Sequence, residues 1–156
     1  MRLGARSEFS FRMDNMLSSS PPSMQNSALE SARILWQHWQ AGTCLVHLPE
    51  TCRPANRLEG YACQAALPAT SGRHVLGWKI AATSQAGQQH INVSGPLAGR
   101  LLASRCQPAG ASLKLGTNRM RVMEPEFAFR IGSDIRAQGP QPLTIDQVMK
   151  LVKDLH

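Results

Sequence analysis

The apolar residues of this chain change their spacing along its length. Ahead of residue 68 they recur every three or four positions. Between 74 and 132 they come in short runs of strand-like composition. An order of helices first and strands afterwards does not build alternating βαβ units. It predicts an α+β fold, with N-terminal helices packed on a mixed, mostly antiparallel sheet. At 156 residues, 42% of them hydrophobic, the chain is long enough for one domain with a core and too apolar for a disordered polymer.

Residues 1–26 are expected to form a disordered leader, because SSSPPS at 18–23 propagates neither a helix nor a central strand. Ser27 and Glu30 have the spacing of a capping box. Ala28, Ala32, Leu35 and Trp39 then follow helical spacing, and Gly42 ends the helix. A second helix is expected over 54–67, with Pro54 in its first turn, followed by a loop at PATSGR (68–73). HVLGWKIA (74–81) has strand composition, and 83–91 opens as a short helix capped by Thr83 or Ser84. SGPLAG (94–99) is turn material, RLLAS a short apolar piece, and 108–115 a turn leading into a strand. RVMEPEFAFRIG (121–132) reads as another strand. Thr144 and Gln147 make a capping box, and Val148, Leu151, Val152 and Leu155 extend it into an amphipathic helix over 144–156.

Several function classes find no support. The net charge is +7, yet no run of five or six basic residues occurs, and no alternation of basic and aromatic residues offers a stacking surface for bases. Nucleic acid is not an expected partner, whereas a basic balance does suit small anions. No apolar run approaches the ~20 residues of a membrane span, and no apolar signal core follows the N-terminus. The expectation is a cytoplasmic protein with no membrane partner. Cys44, Cys52, Cys63 and Cys106 form neither a C-x-x-C pair nor a zinc spacing, which suits plain thiols in a reducing compartment. The chain lacks G-x-G-x-x-G, G-K-[ST], G-x-S-x-G and H-E-x-x-H, and no two of its histidines stand four apart.

Two features carry chemistry. In the expected strand, Glu124 and Glu126 fall on one face, with Cα atoms roughly 7 Å apart. Such carboxylates either splay into water or converge on a cation, and oxygen donors without thiol or imidazole partners favour hard ions over zinc. Asp134, Asp146 and Asp154 have no evident claim to be a third ligand. The second feature is Lys79, between Trp78 and Ile80 in an apolar strand, on a solvent face or buried and functional. Gly77 permits close backbone approach, and the chain runs from Lys79 straight to the helix start at Thr83 and Ser84.

GWKIAATSQAGQQHINVSGPLAGRLL, followed by RMRVMEPEFAFRIGSDI, resembles the 2-keto-4-pentenoate hydratases, within the wider fumarylacetoacetate hydrolase family. CRPANRLEGYACQAAL is similar to their second helix, and the likeness runs from about Ser27 to the last residue. The resemblance implies a metal-dependent hydro-lyase adding water to a 2-hydroxy-2,4-dienoate in aromatic-compound degradation. It maps the ligands of Mg²⁺ or Mn²⁺ onto Glu124 and Glu126, with Phe127 and Phe129 packing the sheet behind them. It maps the active-site lysine onto Lys79, with Thr83 and Ser84 beside the substrate. The partners it implies are a small 2-oxo acid and further copies of the same chain. Ser94 stands in a region where family members often carry an acidic residue. The family's third carboxylate ligand falls at or beyond His156, so residues 27–156 read as the N-terminal portion of such a domain, inactive by itself. A 4-oxalocrotonate-type decarboxylase is the sibling reading, because the same metal would serve loss of CO₂. A non-catalytic relic or associating subunit is the third.

Overall fold

Residues 21–116, 118, 120–135 and 141–156 are described by the structure, a computed structural model. The first twenty residues of the expected leader therefore lie outside the described residues. The chain divides into two units, Pro21–Asn118 and the described residues that follow.

In the first unit, α1 spans Pro22–Ala41. It starts ahead of the Ser27–Glu30 box, which lies inside the helix. Pro21 is the N-cap and Pro22 the first helical residue, a position where a missing N–H costs nothing. Ser27 is thereby free to donate to the Thr51 carbonyl at 3.3 Å. Glu30 instead takes two hydrogen bonds from the Arg33 guanidinium, at 2.6 and 2.9 Å. These bonds hold its carboxyl below the ordinary carboxylate range. Gly42 ends α1 in the left-handed conformation (φ 65°), as its sequence position predicts.

Helix α2 spans Arg57–Ser71. Asn56 caps it by accepting from the Glu59 N–H at 3.0 Å, and Glu59 reaches back to the Ala55 N–H at 2.7 Å. Pro54 therefore precedes the helix. The expected loop at 68–73 is corrected: the helix passes through Pro68 to Ser71. A proline this close to the C-terminal end forfeits one backbone bond. Its own carbonyl accepts from Gly72 and Arg73, which closes the end.

The two helices pack on one another. Their buried residues are all small: Ala28, Ser31 and Ala32 on α1, Ala62 and Cys63 on α2. Ser31 is fully buried, and its hydroxyl donates to the carbonyl of Cys52, a buried residue of the connecting segment. Burial pushes the Cys63 thiol up from its ordinary value, while a hydrogen bond with Ser31 works against that shift. At the other end of α1, the Arg105 guanidinium lies 4.4 Å from the Trp39 ring centre and 5.8 Å from that of Trp36. It also donates to Gln40 at 3.2 Å. Arg105 belongs to the 3₁₀ turn Ala103–Arg105, so this contact anchors the segment after the sheet to α1.

Strands β1 (Val75–Ala81) and β2 (Leu97–Leu102) form an antiparallel pair, joined through the short helix α3 (Gln85–His90). Leu97–Gly99, expected as turn, belongs to β2. The outer edge of β2 has no third strand among the described residues. Helix α2 supplies side chains in its place. The Ala98 N–H donates to the Tyr61 hydroxyl, the Gln64 amide donates to the Ala98 carbonyl, and the Arg100 N–H donates to the Gln64 amide oxygen, each at 3.2 Å. Tyr61 and Gln64 stand one helical turn apart, which matches them to one short stretch of strand. After β1 the chain turns at Ala82, whose φ of 55° lies in the left-handed region. The Ala82 carbonyl accepts from the Gln88 amide at 3.0 Å.

In the second unit, the strand expected over 121–132 is confined to β3, Phe129–Ile131. Pro125 explains the shortening, since it offers no donor to a ladder. A reciprocal pair of 2.8 Å bonds between Ala128 and His156 adds one more rung. The helix expected over 144–156 is corrected as well. The Thr144–Gln147 capping box forms, but α4 covers only Ile145–Met149, and Val152–Leu155 is strand β4. It pairs antiparallel with β3, Phe129 opposite Leu155 and Arg130 opposite Asp154, and an Arg130–Asp154 ion pair joins the strands. A helix of that length is marginal in water, so pairing with β3 prevails over the helical pattern. Gly132 permits the approach, because a Cβ there would come within 3.1 Å of the Lys153 Cβ. The strand expected before 115 has no counterpart. The fold class is α+β, and the expected mixed sheet is replaced, among the described residues, by two separate two-stranded antiparallel sheets.

Replacing Gln64 by Leu keeps bulk and removes both of its contacts with β2. The expected result is a stability loss of about 1–3 kcal/mol, the scale of unsatisfied backbone groups, with faster hydrogen exchange concentrated at the Arg100 amide. Exchange unchanged in β2 would show that the side-chain edge carries no load. Ala82→Gly relieves the left-handed strain against the entropy of an added glycine. A gain of roughly 0.5–1 kcal/mol in chemical denaturation is expected, and destabilisation would contradict this backbone geometry.

Candidate functional site

Lys79 sits at the middle of β1 and is half-buried. Its cross-strand partner is Gly99, while Gly77 lies opposite Leu101 and Ala81 opposite Leu97. Cross-strand partners and i, i+2 neighbours share a face. Lys79 therefore shares its face with two glycines and an alanine, flanked on β2 by Leu97 and Leu101. A side chain at Gly77 would meet nothing within 4 Å. One at Gly99 would meet only the Lys79 carbonyl, at 3.8 Å. On the opposite face, the Arg100 guanidinium stacks 4.7 Å from the centre of its partner Trp78. That contact adds to the register that places Lys79 opposite Gly99.

Thr83 and Ser84 follow the Ala82 turn and are both exposed. Ser84 is the N-cap of α3, as expected, and its oxygen accepts from the Gly87 N–H at 3.1 Å. Its hydroxyl hydrogen is left as a donor. Gly87 is needed close by, since a Cβ there would lie 3.3 Å from the Ser84 oxygen.

Glu124 and Glu126 belong to the second unit, ahead of β3, in a segment without ladder pairing. Both are exposed, as are all residues from 120 to 134. The shared strand face inferred for them is not realised, because the ladder begins only at Ala128. Phe127 and Phe129 do not pack behind them: they are 84% and 55% exposed. Of the three aspartates without an evident claim, Asp154 is held by Arg130, whose Nε donates to it at 2.6 Å. Among the described residues no group of three or more His, Cys, Asp or Glu side chains stands close enough to hold a metal ion. The Glu pair has the oxygen chemistry a hard cation takes but not the number of donors.

A cavity of about 260 Å³ in the first unit is lined by none of these residues. It lies between α1, the segment around Cys52 and the start of α2, with Ser27, Arg53, Glu59 and Cys63 in its wall. Sequence reasoning did not anticipate it, and small residues on two helices leave no periodic signal that would reveal it. The glycine surround of Lys79 was half visible, through Gly77. Gly99 joins it only through the strand register.

Comparison with known proteins gives one consistent likeness. The chain is 30% identical over 116 residues to a 2-keto-4-pentenoate hydratase of Burkholderia vietnamiensis (strain G4 / LMG 22486), a match covering 72% of this chain and 44% of the relative. It is 28% identical over 126 residues to a 2-keto-4-pentenoate hydratase of Paraburkholderia xenovorans (strain LB400), covering 79% of this chain and 47% of that protein. The same values hold for 2-keto-4-pentenoate hydratase 3 of Pseudomonas putida. No protein-family model matches the chain, and no solved structure matches it significantly. The chain spans less than half the length of these curated relatives. All three relatives carry the name 2-keto-4-pentenoate hydratase.

Proposed function

We propose that this chain contributes a lysine and a carboxylate pair to a hydratase site that adds water to a 2-hydroxy-2,4-dienoate. The observation that carries the reading is Lys79, half-buried at the centre of β1 opposite Gly99, in a chain similar to curated hydratases. An ammonium there binds a carboxylate or 2-oxo oxygen through charge-assisted hydrogen bonds. It holds the negative charge that develops as the dienol passes to its keto tautomer, or delivers a proton at the reacting end. Thr83 and the Ser84 hydroxyl, just beyond the turn, add polar contacts to the bound acid.

Glu124 and Glu126 are the proposed protein ligands of Mg²⁺ or Mn²⁺. When bound, such an ion supplies Lewis acidity to a chelating 2-oxo acid. Two carboxylates leave a hard cation mostly hydrated, so the site needs donors beyond this pair. The 156-residue chain is accordingly proposed to be inactive alone, with further copies or further polypeptide completing the site.

Mn²⁺ titrated into the chain should broaden amide signals selectively around 124–126. Glu124→Gln or Glu126→Gln should weaken that effect by at least ~10-fold, the scale of one lost charge-assisted ligand. Broadening spread evenly over all surface carboxylates would sink the assignment. Assayed with 2-hydroxypenta-2,4-dienoate and Mg²⁺ or Mn²⁺, the purified chain should show no hydration. Metal-dependent turnover would show that the chain completes its own site.

A further inference from the structure

We infer that Gly77 and Gly99 form the floor of a slot in which a flat, unbranched 2-oxo acid lies against bare backbone, with its charged end on Lys79. The inference rests on the proposed role of Lys79 and adds to it the surface that selects the ligand's shape. Three observations carry it. The register sets Lys79 opposite Gly99, with Gly77 two residues away on the same face. Added side chains at the two glycines would enter open space, so neither glycine is there to avoid a clash with the protein. Neither glycine has a positive φ; Gly77 adjoins a register shift that follows Val75, whereas at Gly99 the ladder is regular and backbone conformation does not require glycine. Glycine in a strand interior weakens the strand and marks close approach by a ligand or another backbone.

The walls fit the same ligand. Leu97 and Leu101 stand on β2 on either side of Gly99, and Leu101 is 38% exposed. A cation at the centre, apolar flanks and a floor without side chains suit an anion with a planar carbon tail. A branched or bulky acid would stand off the floor and lose contact with the peptide planes.

The test compares four forms of the full chain: unaltered, Gly99→Val, Gly77→Val and Lys79→Met. Each is titrated with 2-oxopentanoate and followed by amide chemical shifts, and the thermal unfolding of each is measured in parallel. Valine suits a strand and meets open space, so both glycine variants should melt at or above the temperature of the unaltered chain. They should nonetheless bind 2-oxopentanoate at least ~10-fold more weakly, as should Lys79→Met. If Lys79→Met loses binding while both valine variants, folded, keep it, the slot is wrong and the lysine assignment stands. If Lys79→Met binds as well as the unaltered chain, or if the unaltered chain does not bind at all, the lysine assignment falls and the slot with it. Should one valine variant fail to fold, the other still decides, and unfolding of both would itself contradict the open space on which the inference depends.

Discussion

The first unit depends on how α2 closes the edge of a two-stranded sheet. A lone antiparallel pair is marginal in water, and its free edges expose backbone donors and acceptors. Here Tyr61 and Gln64 present a hydroxyl and an amide to the Ala98 and Arg100 backbone, as a third strand would. Ala98 and Leu102, on the strand so held, are buried, and with small residues of α1 and α2 they make up most of the buried apolar set. Arg105 on Trp36 and Trp39 pins the far end of the same strand's exit to α1. The placement of Lys79 follows from these contacts, because β2 is the strand that fixes its register.

The second unit has no comparable anchor among the described residues. Its short ladder is joined by Arg130 and Asp154, and apolar side chains such as Met123, Phe127 and Ile145 are mostly exposed. This is the segment where the sequence reading departs furthest from the structure. The alternation of glutamates and apolar residues at 121–132 suits a strand, but a strand exists only where it has a partner. Pro125 removes a donor between the glutamates, and the pairing with β4 involves only residues from Ala128 onward. The capping box at Thr144 was legible because its two bonds are local, and both form. The length of the helix it starts was not, because Val152 and Leu155 satisfy both a helical stripe and a strand, and only pairing with β3 decides between them.

The sequence by itself determined what local chemistry controls. It set the C-terminal stop of α1 at Gly42, the Ser84 cap of α3, the capping box at Thr144 and the strand character of 75–81. Each of these depends on residues within a few positions of one another, so pattern and propensity suffice. Tertiary structure decided the rest: the strand fate of 152–155, the side-chain edge on β2, and the pairing of Lys79 with Gly99. Those outcomes join residues tens of positions apart. Their free energy comes from burial and hydrogen-bond partners that exist only once the chain has closed on itself, and no local spacing encodes which partner will arrive.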